Sequence, residues 1–81
     1  MDDITYEDVI EMLQDIEEDI DYESVTDLVD GKHLDSFDII AIVNATNEEF
    51  DVTIPASEIV PKNFNSARAL FEMIVRLADE D

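Results

Sequence analysis

The chain has 81 residues, which permits one small domain spanning residues 1–81. Its 23 Asp and Glu residues against four Lys and Arg give a formal net charge of -19, so nucleic acid is an unfavourable partner and basic protein surfaces are favourable ones. Hydrophobic residues make up 46% of the chain and recur at helical spacing, which argues against disorder as the meaning of the charge.

The N-terminal residues Met1-Asp2-Asp3 carry neither the basic nor the apolar segment of a signal peptide. No apolar run in the sequence approaches the length that crosses a membrane. We therefore expect a cytoplasmic protein that does not insert into membranes.

The first predicted element is a helix of about four turns that begins near Thr5. The Thr5 hydroxyl can cap this helix, with Asp8 at its third position. Apolar side chains then recur every three or four residues, the spacing of an amphipathic helix. They are Tyr6, Val9, Ile10, Leu13, Ile16 and Ile20.

Residues 21–34 show no helical period and are predicted to form a loop. A loop of this length inside a compact domain needs anchors of its own. Gly31, the only glycine, stands near its end, where we expect a backbone angle that other residues avoid. The apolar anchors are Val25, Leu28, Val29 and Leu34.

Helical spacing resumes at Asp35-Ser36 and continues to about Glu49. Asp35 or Ser36 can cap this helix, and Asp38 can complete a capping box with Asp35. One face forms a core stripe of Ile39, Ile42, Val43, Thr46 and Phe50.

The opposite face of the same helix begins beside Ser36 and carries Phe37, Ile40, Ala41 and Asn44. A helix buried on both sides would explain these apolar residues, but a thin bundle cannot easily cover a helix completely. We expect instead an exposed docking patch rimmed by Asp35, Asp38 and Glu48.

The remaining sequence predicts a connector, a short helical turn and a last helix. Residues 52–55 alternate like a strand but have no second strand to pair with. A turn from Pro55 to Val60 would point Ile59 inward and stop at Pro61, and Asn65 or Ser66 would cap the last helix. The predicted fold is therefore all-α, a small antiparallel four-helix bundle of three long helices and one short one.

Two other chemistries fail on sequence grounds. Asp30, His33, Asp35 and Ser36 superficially supply a hydrolytic triad, but the glycines of a G-x-S-x-G elbow are missing. If Gly31 were the sixth residue of an EF-hand loop, no carboxylate would stand at its first, third or twelfth position. Cysteine is absent as well, so we predict no catalytic residue, no metal site and no disulfide.

One stretch of the chain combines Asp35-Ser36-Phe37, an aliphatic helix, Glu48-Glu49-Phe50-Asp51 and Ile54-Pro55. In this order, from about Gly31 to Asn65, the chain resembles the acyl carrier protein family. In that family the serine of a D-S-L type motif carries 4'-phosphopantetheine. The resemblance implies that Ser36 is the attachment site and that the bundle is of the acyl-carrier type.

The resemblance also implies the activity and the partners. A phosphopantetheinyl transferase would modify Ser36, a ligase would load acyl or aminoacyl groups as thioesters, and a downstream synthase or transferase would accept them. The carrier, which we expect to be a monomer, would catalyse nothing and would meet basic patches on these enzymes. The residues expected to face the partners are Asp35, Phe37, Asp38, Ile40, Ala41, Glu48 and Glu49.

The cargo is the least determined part of the prediction. Carriers of fatty acid synthesis usually have a glutamate, in D-x-V-E-L-V, where this chain has Ala41. The segment from Asp30 to Phe37 and the pair Asn65-Ser66 are similar to D-alanyl carrier proteins. We place acyl cargo, as in fatty acid or polyketide synthesis, first, and D-alanyl or other aminoacyl cargo second. An unmodified acidic adaptor for basic protein surfaces is a more remote alternative.

Overall fold

The structure, a computed structural model, describes residues 4–80. Within that range it is helical and has no β-strand, which confirms the all-α class. The termini of the predicted domain, Met1 to Asp3 and Asp81, lie outside the described residues, and the antiparallel order stays a prediction. The elements are α1 (Tyr6–Ile16), α2 (Ser36–Phe50), a 3-10 turn (Ala56–Glu58), α3 (Pro61–Phe64) and α4 (Ala67–Asp79).

Helix α1 begins where the sequence predicts and ends a turn early. The Thr5 hydroxyl accepts a hydrogen bond from the Asp8 amide at 3.1 Å, and the Asp8 carboxylate accepts one from the Thr5 amide at 3.2 Å. The helix ends at Ile16, so the prediction that it continues to Ile20 is wrong. Ile20 still packs against the core from the following turn.

A buried tyrosine explains the early end of α1. The Tyr22 hydroxyl donates to the carbonyls of Leu13 and Glu17, at 3.0 and 2.7 Å. The Leu13 carbonyl also accepts from the Glu17 amide at 2.9 Å, whereas the Glu17 carbonyl is at the C-cap, where backbone acceptors lack intrahelical partners. Tyr22 therefore satisfies the end of α1 in place of a further helical turn.

We expect Tyr22 to make the fold sensitive to alkali. Burial, together with the nearby Glu17 and Asp38 carboxylates, raises the pKa of Tyr22 from 10.0 to about 12. The folded state then holds the phenolic proton more tightly than the unfolded state. Its contribution to stability is complete below pH 10 and is lost as the pH rises from 10 to 12.

Urea unfolding at successive pH values will test this expectation. The free energy of unfolding of the wild type should fall between pH 10 and 12 more steeply than that of Tyr22→Phe, which has no phenol to ionise at this position. Parallel slopes for the two proteins would contradict the role of Tyr22.

The loop before α2 needs Gly31 for a reason that differs from the prediction. Gly31 has no positive φ; Lys32 and Asp51 have positive φ instead, at 62° and 58°. The Gly31 amide donates to the Asp27 carbonyl at 2.6 Å, and a Cβ at Gly31 would lie 2.8 Å from that carbonyl oxygen. The predicted left-handed angle is wrong, and close approach to Asp27 excludes a side chain here.

Helix α1 packs against both α2 and α4, and the core lies between these helices. Ile42 and Thr46 are the fully buried residues of α2. The Thr46 hydroxyl lies 3.6 Å from the Met12 sulfur, so this buried polar group has a partner on α1. The other core side chains are Val9, Ile10, Leu13, Tyr22, Leu28, Leu34, Val52, Ile54, Phe64, Ala67, Leu70, Met73 and Ile74.

The segment between α2 and α4 departs from the prediction at two residues. Ile59 is 41% exposed and does not point inward, and Pro61 begins α3 where we expected it only to stop a turn. The first helical position suits proline because the amide there needs no helical partner. Glu58, just before Ile59, is held by Arg76 of α4 at 2.7 Å and by the Asn63 side chain at 3.1 Å.

Within residues 4–80, no helix combines the length and the hydropathy needed to cross a membrane.

Candidate functional site

Ser36 is the first helical residue of α2, and its side chain is exposed. Asp35, one of the two predicted caps, is the N-cap. Its carboxylate accepts a hydrogen bond from the Asp38 amide at 2.9 Å, and the Asp38 carboxylate accepts one from the Asp35 amide at 3.2 Å. Because Asp35 and Asp38 form the capping box, the Ser36 hydroxyl is not the cap of the helix.

The helix start supplies a favourable environment for an anion next to Ser36. The first amides of a helix have no intrahelical acceptor, and the helix dipole places partial positive charge there. Nearby carboxylates oppose this effect. The pKa of Glu17 is raised above its usual range, and the largest cause is the charge of the Asp38 carboxylate. Burial, a hydrogen bond with Asp38 and the charge of Asp35 raise this pKa further.

The face of α2 next to Ser36 is apolar and exposed, as predicted. Phe37 is 78% exposed and Ile40 is 57% exposed, while Ala41 is half-buried. We call these three residues the docking patch. Adjacent exposed apolar side chains are candidates for contact with another protein.

The acidic residues predicted to rim this patch are not all close to Ser36. Asp35 and Asp38 form the capping box beside it. Glu48 and Glu49 are exposed at the other end of α2, roughly 18 Å along the helix at 1.5 Å per residue. The candidate site is therefore a helix-long surface with Ser36 at one end and two carboxylates at the other.

His33, one member of the hydrolytic arrangement considered from the sequence, lies beside a loop carboxylate. His33 lies 3.6 Å from the Asp27 carboxylate, and both side chains are largely exposed. Within residues 4–80, no three His, Asp or Glu side chains are grouped so that they could hold a metal ion.

A small apolar crevice lies between α2, the loop before it and residues 59–64, and was not predicted. Its volume is about 110 Å³. It could not be foreseen from the sequence because Ile59 was expected inside the core. Its lining side chains are Val29, Ile39, Ile59, Val60, Pro61 and Phe64.

Asn65 is a further residue whose role the sequence did not reveal. Ser66, the other predicted cap, accepts the hydrogen bond from the Ala69 amide and is the N-cap of α4. The Asn65 side chain turns instead to the loop before Ser36, where it accepts from the amides of Val29 and Asp30, each at 3.0 Å. An asparagine just before a helix is typical of a helix cap. Only the tertiary structure shows that Ser66 is the cap and that Asn65 binds the loop.

Comparison with known proteins supports the carrier family. The chain is 43% identical, over 42 residues, to Aminoacyl carrier protein 1 of Bradyrhizobium diazoefficiens. The match covers 52% of this chain and 47% of the relative, so the chain spans about half the length of the curated protein that it matches. No protein family model and no solved structure matches the sequence. The helical fold is compatible with the acyl-carrier bundle that the resemblance implied. The predicted resemblance to carrier proteins is confirmed over the 42 matched residues.

Proposed function

We propose that this relative of carrier proteins carries acyl-type groups as thioesters on a 4'-phosphopantetheine arm attached to Ser36. The observation that carries the proposal is the exposed Ser36 hydroxyl at the first position of α2, free of the capping role that Asp35 takes. The similarity to an aminoacyl carrier protein supports the same assignment.

The residues around Ser36 fit a phosphodiester. The amides of the first turn of α2 that the capping box does not use, together with the helix dipole, favour a negative group on the Ser36 oxygen. During attachment, the Ser36 oxygen would bond to the phosphorus of coenzyme A that bears pantetheine, adenosine bisphosphate would leave, and the transferase would accept the Ser36 proton. The arm supplies a terminal thiol, which this cysteine-free chain lacks.

The docking patch and the acidic helix end suit brief contact with several enzymes in turn. Phe37 and Ile40 offer an apolar centre, and the exposed Glu48 and Glu49 carboxylates attract basic surfaces. Charge complementarity raises the rate of association more than it lengthens the life of a complex. Such a surface lets a carrier bind quickly and leave quickly, which a shuttling role requires.

For the cargo, we propose an aminoacyl group ahead of a long acyl chain. The relative's name specifies aminoacyl cargo. Loading assays on the modified protein with amino acid ligases and with acyl ligases will separate the two classes.

Intact-protein mass spectrometry tests the proposed function directly. The protein is incubated with coenzyme A and a broad-specificity phosphopantetheinyl transferase, with Ser36→Ala as the matched control. We expect the wild type to gain one phosphopantetheine and the control to gain none. A folded wild type that gains nothing would overturn the assignment.

An unmodified acidic adaptor would need the Glu48 and Glu49 carboxylates and would not need Ser36. It would keep its activity in Ser36→Ala and lose it when Glu48 and Glu49 are both replaced by glutamine. A carrier loses all activity in Ser36→Ala, while the glutamine variant only slows its encounter with basic partners. Comparing the two variants therefore separates an adaptor from a carrier.

A further inference from the structure

Asn65 joins the α3–α4 junction to the loop that precedes Ser36. Its side-chain oxygen accepts hydrogen bonds from the amides of Val29 and Asp30, each at 3.0 Å. Its side-chain nitrogen donates to the Asp30 carboxylate at 3.0 Å, and its backbone carbonyl accepts from the Leu28 amide at 2.8 Å. Asn65 thus makes four hydrogen bonds to three consecutive loop residues, 28–30, which are 35 or more residues away from it in the sequence.

The held segment continues directly into the candidate site. The Leu34 amide donates to the Leu28 carbonyl at 2.9 Å, which closes the loop on the residue that Asn65 holds. Leu34 is buried, and the next residue, Asp35, is the N-cap of α2. The position of Ser36 relative to α3 and α4 therefore depends on a short series of contacts that begins at Asn65.

Few other contacts could replace this anchor. Leu28 is buried, but the neighbouring Val29 is only half-buried, and Asp30 through His33 are exposed. Without the Asn65 oxygen, the Val29 and Asp30 amides would lose their acceptor and would turn to water. A loop held by backbone hydrogen bonds near the surface opens at low cost in free energy.

We propose that Asn65 is a positioning residue for the modification of Ser36, because it holds residues 28–34 in the conformation that the modifying enzyme recognises. The inference rests on the proposed function. It differs from a role in overall folding, because the Asn65 side chain contacts Val29 and Asp30, which are outside the set of buried core residues, although Leu28 and Leu34 of the same loop belong to that set.

The proposal predicts a specific kinetic signature. An open loop lowers the fraction of molecules that the transferase can bind, which raises the apparent KM by the inverse of that fraction and leaves kcat unchanged. For Asn65→Ala we expect about a tenfold rise in KM, given the usual strength of two or three hydrogen bonds near the surface. The Val29 and Asp30 amides should also exchange with solvent faster.

The matched control is Asn63→Ala, two residues earlier. The Asn63 side chain donates to the carbonyl and the carboxylate of Glu58, at 2.8 and 3.1 Å. Glu58 belongs to the 3-10 turn before α3, and not to the loop before α2. This variant removes an asparagine whose side chain makes two hydrogen bonds to the 3-10 turn, against the three that the Asn65 side chain makes to the loop. We expect its KM, and the exchange of the Val29 and Asp30 amides, to match those of the wild type.

A pair of substitutions tests the contact itself. Asn65→Asp places a carboxylate against that of Asp30 and should raise KM, but by less than Asn65→Ala, because the new carboxylate still accepts from the Val29 and Asp30 amides. Combining it with Asp30→Asn restores an amide facing a carboxylate and keeps the net charge at -19. We expect the double variant to return KM to within about twofold of the wild type, as coupling between contacting residues requires.

The outcomes separate this inference from the proposed function. If the wild type is modified and Asn65→Ala has the same KM, or loses kcat alone, Asn65 has no positioning role. A double variant as impaired as Asn65→Asp would also overturn the inference. A wild type that is never modified would instead overturn the proposed function, and this inference with it.

Discussion

Replacing Phe37 with alanine is expected to lower kcat/KM for the modification of Ser36 about thirtyfold, the effect of losing one apolar anchor worth about 2 kcal/mol at an interface. Phe37 directly follows Ser36 and is 78% exposed, so the folded protein makes little use of its ring. The melting temperature of Phe37→Ala should therefore equal that of the wild type. Steady-state kinetics with a phosphopantetheinyl transferase and thermal unfolding will measure the two quantities.

The matched control for Phe37 is the half-buried Phe71 on α4. Its ring meets the Tyr6 ring edge to face, with the centroids 5.9 Å apart. Phe71→Ala should lose about 2 kcal/mol of stability through this lost packing and, while still folded, should be modified at the wild-type rate. If both variants lose stability, or if Phe37→Ala is modified normally, Phe37 is not a docking residue.

Replacing Ile42 with alanine is expected to lower the free energy of unfolding by about 3 kcal/mol, because it leaves a cavity in the core. Ile42 is fully buried at the centre of α2. A domain of this size has roughly 5 kcal/mol of stability in total, and the charge of -19 adds self-repulsion. Urea unfolding followed by circular dichroism should show a large fall in the midpoint.

Ile40 provides a control of identical chemistry on the same helix. It lies two residues earlier on the opposite face and is 57% exposed. Ile40→Ala should change the free energy of unfolding by less than about 0.5 kcal/mol, as surface substitutions do. Equal losses at the two positions would mean that α2 is buried on both faces, the arrangement we rejected from the sequence.

The elements that the sequence predicted well are those whose signals are local. The Thr5-Asp8 and Asp35-Asp38 capping boxes form between residues three apart, so spacing alone reveals them. The two faces of α2 also follow from spacing, because a helix fixes which side chains share a side. The exposure of Phe37 and Ile40 confirms this reading.

The predictions that failed depend on contacts between distant residues. Helix α1 ends at Ile16 because Tyr22, in the next segment, donates hydrogen bonds from its hydroxyl to carbonyls at the end of the helix. Ile59 stays exposed beside Glu58, which Arg76 and Asn63 hold. Neither contact leaves a periodic pattern in the sequence, because each depends on how the chain folds back on itself.

The sequence by itself determined the all-α class, the Thr5 cap of α1 and the exposed face of α2, since these follow from the spacing and chemistry of neighbouring residues, and its resemblance to acyl carrier proteins indicated the candidate serine. Only the tertiary structure decided that Gly31 is required by the approach of Asp27, and that Asn65 holds the loop before Ser36 while Ser66 caps α4. The physical reason is that a cap and a long-range anchor use the same donors and acceptors. An asparagine's amide can serve either purpose, and the folded chain decides which groups come within hydrogen-bonding distance of it.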